Sequence, residues 1–124
     1  MTQLSYETFP GELRAAVPGF ERVYDEHVTD HDEVLPHVLL GDLVRFLSNE
    51  VAAHGHHSAP LKQAMIVLER ALESDDARLE ELVVVSFLEN LDVDDPHFPT
   101  VKRSFGPRLE ALHARFAKAG LNEV

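Results

Sequence analysis

The sequence has no cysteine and no tryptophan. Disulfides, thiolate metal sites and a cysteine nucleophile are therefore excluded, and the lack of cysteine fits a reducing compartment. Basic residues are scarce: 11 Lys and Arg stand against 22 Asp and Glu, a formal net charge of −11. Such a chain is repelled by nucleic acid and by anionic membrane surfaces, and it attracts a basic protein or a cation. Long apolar runs are missing as well. The longest, Leu82 to Leu88, is interrupted by Ser86 and is far too short to span a bilayer. Met1 to Pro10 has no basic segment followed by an apolar one, so it does not read as a signal peptide, and the expected location is the cytoplasm. Asn-Gly and Asp-Gly pairs are absent, which removes the commonest hairpin signals. No G-x-G-x-x-G, P-loop, G-x-S-x-G or H-E-x-x-H pattern occurs, so nothing gives positive support for an enzyme or for a cofactor.

What is present reads as helix. The 124 residues suit one domain, with 44% hydrophobic and 27% charged residues, and Ala, Leu, Glu and Arg are common. Residues 1–35 are the less regular part, cut by Pro10, Gly11, Pro18 and Gly19, with one short helix expected from near Pro18 to near Thr29. Residues 36–124 form the main helical body. Leu40, Leu43, Val44, Leu47 and Val51 predict a helix from Pro36 to about Ala53, stopped by Gly55. Leu61, Ala64, Met65, Leu68 and Leu72 predict a second, opening at Ser58 or Ala59. The stretch Ala77 to Leu91 is apolar almost all round and predicts a central helix, with a buried strand at Val83–Val85 as the alternative. Asp92 to Pro99 reads as a loop. Phe105, Leu109, Leu112 and Phe116 mark a last helical stretch, broken or kinked at Gly106-Pro107 and ended by Gly120. The expected fold is all-α, a single-domain compact bundle or a short α-solenoid-like stack of five to six helices.

The charge is unevenly spread. Residues 1–59 and 60–95 each carry −7, whereas residues 96–124 carry +3 through Lys102, Arg103, Arg108, Arg115 and Lys118. The plain expectation is that this basic end packs on the acidic body. The acids gather at expected helix ends: Asp30, Asp32 and Glu33; Asp75 and Asp76; Asp92, Asp94 and Asp95. These eight are the candidate partner-binding residues. Asp92-Val93-Asp94-Asp95 begins like a calcium loop, but His97 stands where glycine is needed and Arg103 where glutamate is needed.

Eight histidines are many for this length. His27 and His31 share a helix face at i, i+4 spacing, and His37 is near in sequence. Such a face can ligate zinc or nickel, so these three are the candidate metal ligands. His54, His56 and His57 form a second cluster. Both clusters fall at expected helix ends, where histidine is favourable without a metal.

Three stretches together are similar to a family of small uncharacterised bacterial proteins: Pro36 to Leu43, Glu81 to Leu91 and Phe105 to Leu109. That resemblance implies a bacterial source and a helical fold and carries no catalytic residue. The chain also resembles, more loosely, the acidic immunity proteins that neutralise bacterial toxins. The leading expectation is an acidic protein-binding module, immunity- or antitoxin-like, with a basic protein partner, no nucleic acid and no membrane. The alternatives are a metal-binding protein or metal-dependent enzyme built on the histidines, and a subunit whose apolar face is covered in a homo-oligomer.

Overall fold

The computed structural model describes residues 3–119, with side chains up to Phe116. The described residues form seven α-helices: α1 Phe9–Ala16, α2 Phe20–His31, α3 Pro36–His54, α4 Ala59–Glu73, α5 Ala77–Leu82, α6 Phe98–Arg103 and α7 Pro107–Ala119. A 3₁₀ turn, Gly55–His57, joins α3 to α4, and α5 runs on into a π-helical segment, Val83–Leu88. No strand occurs among the described residues, so the fold is all-α and Val83–Val85 is helical. Gly120, the expected stop of the last helix, lies outside the described residues, as does the Lys118 side chain.

The two best-patterned helices follow their local signals. Pro36 opens α3 in its first turn, where a missing N–H costs nothing. Gly55 ends it with φ 63°, a left-handed value that favours glycine. Helix α4 starts at Ser58, whose Oγ accepts from Leu61 N–H at 3.2 Å. The first third is more regular than its composition implies. Pro10 sits in the first turn of α1 and starts the helix rather than breaking it, and Phe9, Leu13 and Val17 recur every fourth residue into the core. Helix α2 runs two residues beyond the expected Thr29, because the left-handed Asp32 provides the stop.

One contiguous core extends from Leu4 to Leu112, and Phe9, Phe20 and Phe87 are its largest fully buried side chains. Burying each contributes roughly 2–3 kcal/mol by transfer from water. Helix α3 packs on α2, α4, α6 and the π segment, while α4 also packs on α1 and α7. Contacts between elements far apart in the chain make this a bundle, because each unit of a solenoid touches only its neighbours. The π segment lies against α3 and α7. Its three adjacent β-branched residues are crowded at α-helical spacing. The wider turn, closed by Glu89 N–H to Val84 O at 3.0 Å, puts Val83, Ser86, Phe87 and Leu88 inward. Val85 stays 43% exposed, so the run is apolar on most faces without being buried on all of them.

Helix α7 has a start it does not cap itself. Gly106 precedes Pro107, and the Glu69 carboxylate of α4 accepts from Arg108 N–H at 3.1 Å and Leu109 N–H at 2.8 Å. A Cβ on Gly106 would overlap that carboxylate. Glu69→Ala is therefore expected to cost about 1–2 kcal/mol, with Gly106→Ala costing a similar amount. The double variant should cost little more than either single change, because both remove the same pair of bonds. Urea denaturation of the four proteins checks this.

Candidate functional site

The outer side of α2 carries four exposed acids, Glu21, Asp25, Glu26 and Asp30. Helical spacing puts Glu21, Asp25 and Thr29 in one row and Arg22, Glu26 and Asp30 in the next, all exposed. Glu21, Asp25, Glu26 and Asp30, with Asp42 from α3, line an open groove of about 650 Å³ that also takes in Arg22, His27 and His31. Part of this charge is answered. Arg14 grips Asp25 through two hydrogen bonds, of 3.0 and 3.2 Å, and lies 3.7 Å from Glu21. The Arg14 guanidinium holds the Asp25 carboxyl below the usual aspartate range. Glu26 and Asp30 have no cation at ion-pair distance among the described residues.

The groove's floor is His27. Its side chain is fully buried at the junction of α2 and α3. Leu35 N–H, at the start of α3, donates to Nε2 at 2.9 Å. That bond makes Nε2 the lone-pair nitrogen, so the neutral ring carries its proton on Nδ1. Nδ1 has no hydrogen-bond partner, although Asp42 Oδ2 lies 3.4 Å away. Asp42 turns its other oxygen to Arg45 on the exposed side of α3.

Beyond the groove, α2 ends in further acids. Asp32 adopts the left-handed conformation, φ 61°, with its N–H on Val28 O at 2.7 Å. Glu33 follows it, exposed.

The other predicted acids are placed differently. Asp76 caps α5 through Arg78 N–H at 3.0 Å and takes Tyr6 N–H at 2.8 Å. The bond from Tyr6, with that from Arg78, holds its carboxyl below the ordinary value. Asp95 takes His97 N–H at 2.8 Å and the Ser48 hydroxyl at 2.7 Å, which lower it in the same way. Asp92 accepts from Asp94 N–H at 2.9 Å, and Asp75 is exposed. Tyr6, Val34, Pro36 and Arg78 line one groove, so the turn after α2 and the turn before α5 meet near the start of α3. Ser48, which holds Asp95, lies about 18 Å farther along α3 at 1.5 Å per residue. The eight acids thus fall into two regions. Among the described residues one ion pair joins the basic end to the acidic body, Arg115 to Glu80 at 3.1 Å, while Lys102 turns to Glu110 in its own segment at 2.6 Å.

Of the candidate metal ligands, His27 and His31 have ring centroids 4.7 Å apart, but His37 Nδ1 is engaged with Ser86 Oγ at 2.5 Å. His56 and His57 stack at 4.0 Å on the 3₁₀ turn. No group of three or more His, Cys, Asp or Glu able to hold a metal ion occurs among the described residues. The Ser86–His37 pair has the residue types of a nucleophile and its base. Ser86 is 3% exposed, and its bond to His37 ties the π segment to α3.

Sequence reasoning missed the roles of His27 and Asp42. Asp42 reads as a water-facing position on α3, and no periodicity links residues 27, 35 and 42. Replacing His27 by Phe keeps the ring's bulk but strands Leu35 N–H in the interior. The expected loss is about 1–3 kcal/mol of stability by urea denaturation, against less than about 0.5 kcal/mol for exposed His31→Phe.

Among the described residues no helix is long and apolar enough to cross a membrane. No curated protein and no solved structure matches the chain. Residues 10–118 match the family of domains of unknown function DUF7674, so the match includes the first third from Pro10 onward, and the chain belongs to that family.

Proposed function

We propose that this chain is an acidic protein-binding module, immunity- or antitoxin-like in kind, that docks a basic protein partner on the groove beside α2. The observation that carries this reading is the convergence of Glu21, Asp25, Glu26, Asp30 and Asp42 on one open groove, with Glu26 and Asp30 left without a cation among the described residues. A field of one sign over a concave surface steers an oppositely charged partner and speeds its association. A bacterial, cytoplasmic setting, as the family resemblance and the lack of cysteine imply, fits this reading.

The end of α2 supports it. Backbone carbonyls make a helix C-terminus the negative end of its dipole, so acids are unfavourable there. Asp30, Asp32 and Glu33 nevertheless follow one another at that end, and Asp32 also adopts a backbone conformation that L side chains rarely take. Local rules broken together at one surface point to a use other than folding. Asp32→Gly is accordingly expected to raise stability by about 0.5–1 kcal/mol in urea denaturation while weakening partner binding.

The test is retention of a partner on the immobilised protein. One basic protein, held in a one-to-one ratio at low salt and released as salt rises, is the expected result, and Glu26→Lys/Asp30→Lys should lose it. A partner that survives both high salt and the double reversal would sink the reading.

A further inference from the structure

We infer that Asp42 is the anchor for a cationic side chain of the partner, and that Arg45 holds this anchor aside until the partner arrives. The inference rests on the groove reading above and adds the residues that decide occupancy. Asp42 is the inner carboxylate of the groove, 22% exposed, contributed by α3 while the other four acids come from α2. Its Oδ1 is drawn outward by Arg45, whose side chain is 71% exposed. Its Oδ2 stops 3.4 Å from His27 Nδ1.

His27 supplies the independent observation. The residue is 3% exposed, and Nδ1 is a buried polar atom with no hydrogen-bond partner. Because Leu35 N–H occupies Nε2, Nδ1 carries the ring proton and is a donor without an acceptor. Such a group is costly to leave unmade, and the carboxylate 3.4 Å away is held through its other oxygen by Arg45. The Arg45 pair spans i, i+3 on an exposed helix face, and pairs of that kind are weak in water. A lysine or arginine entering the groove offers Asp42 a second cation from the other side. When it replaces Arg45, Oδ2 is free to close on His27 Nδ1–H. A continuous chain then runs from the partner's cation through Asp42 and His27 to Leu35 N–H. Binding thereby satisfies a donor that the unbound protein leaves unsatisfied, and Arg45 competes with the partner for one carboxylate.

A fluorescein-labelled arginine-glycine peptide serves as the probe, its affinity read by anisotropy at low salt. Arg45→Ala is expected to tighten binding about threefold to fivefold, and Asp42→Asn to weaken it about tenfold. Arg22→Ala is the control. Arg22 itself lines the groove, so simple charge removal should act at least as strongly there as at Arg45. The exchange instead predicts a change of about twofold or less for Arg22→Ala. A second readout follows the His27 imidazole by nitrogen-15 NMR, which also reports whether each variant is folded. The Nδ1–H signal should become protected from solvent exchange when peptide is added to the unmodified protein, and should already be protected in Arg45→Ala without peptide. If Arg22→Ala tightens binding as much as Arg45→Ala, or if the Nδ1–H signal is unchanged in Arg45→Ala, the exchange is overturned while the acidic groove stands. If Glu26→Lys/Asp30→Lys leaves peptide binding intact, the groove reading itself fails and the exchange falls with it.

Discussion

The hydrogen bond from Leu35 N–H to His27 Nε2 joins the end of α2 to the beginning of α3. The first backbone amides of any helix lack partners within it, and a polar N-cap side chain usually supplies one. Leu35 stands at that position and offers none. A buried imidazole from the preceding helix takes over part of the task, and this choice has consequences. It fixes α2 against α3 at a set place. It lets the connection be as short as Asp32 to Leu35, with the left-handed Asp32 turning the chain. It also brings Asp42 beside His27 and so closes the inner side of the acidic groove.

Helix α7 is built on the same principle. Gly106 leaves room that the Glu69 carboxylate fills from α4, and two amides of α7 are satisfied across the bundle. Helices α4 and α5, by contrast, carry their own caps in Ser58 and Asp76. Helices that depend on a neighbour for their first turn are coupled to it, since the turn and the packing form together. The two borrowed caps lie on α3 and α7, both of which pack against the π segment.

Charge follows the same division between what the fold uses and what it leaves. Arg70 pairs with Glu12, Arg78 with Glu7, and Arg115 with Glu80, so much of the acidic body is answered by a cation of its own. Asp76 and Asp95 are spent on backbone amides and on Ser48. The outer face of α2 and the turn after it are left with Glu26, Asp30, Asp32 and Glu33 facing water. That face is one of the places where the net charge of −11 is left unanswered, and a cationic surface would meet four carboxylates there.

Local physics made much of the fold readable in advance. Pro36 and Gly55 bound α3, Ser58 and Pro60 open α4, and Gly106-Pro107 separates α6 from α7, because each acts on the backbone within a turn of its own position. Apolar spacing likewise marked the faces that α3 and α4 bury. Helix α1 was hidden because Pro10 and Gly11 read as breakers when taken alone, whereas a proline in a first turn is a start signal once Phe9, Leu13 and Val17 have a core to enter. The acidic clusters were visible by count, but not which acids the fold consumes. That depends on Tyr6 reaching Asp76 and Ser48 reaching Asp95, contacts 70 and 47 residues apart. The tie between His27, Leu35 and Asp42 belongs to the same class. Sequence alone determined the all-helical class, the positions of the best-patterned helices and how much negative charge the chain carries, since these follow from local backbone preference and composition. Only the tertiary structure decided which of those charges are bonded and which face a partner, because a hydrogen bond depends on distance in space and no spacing along the chain encodes it.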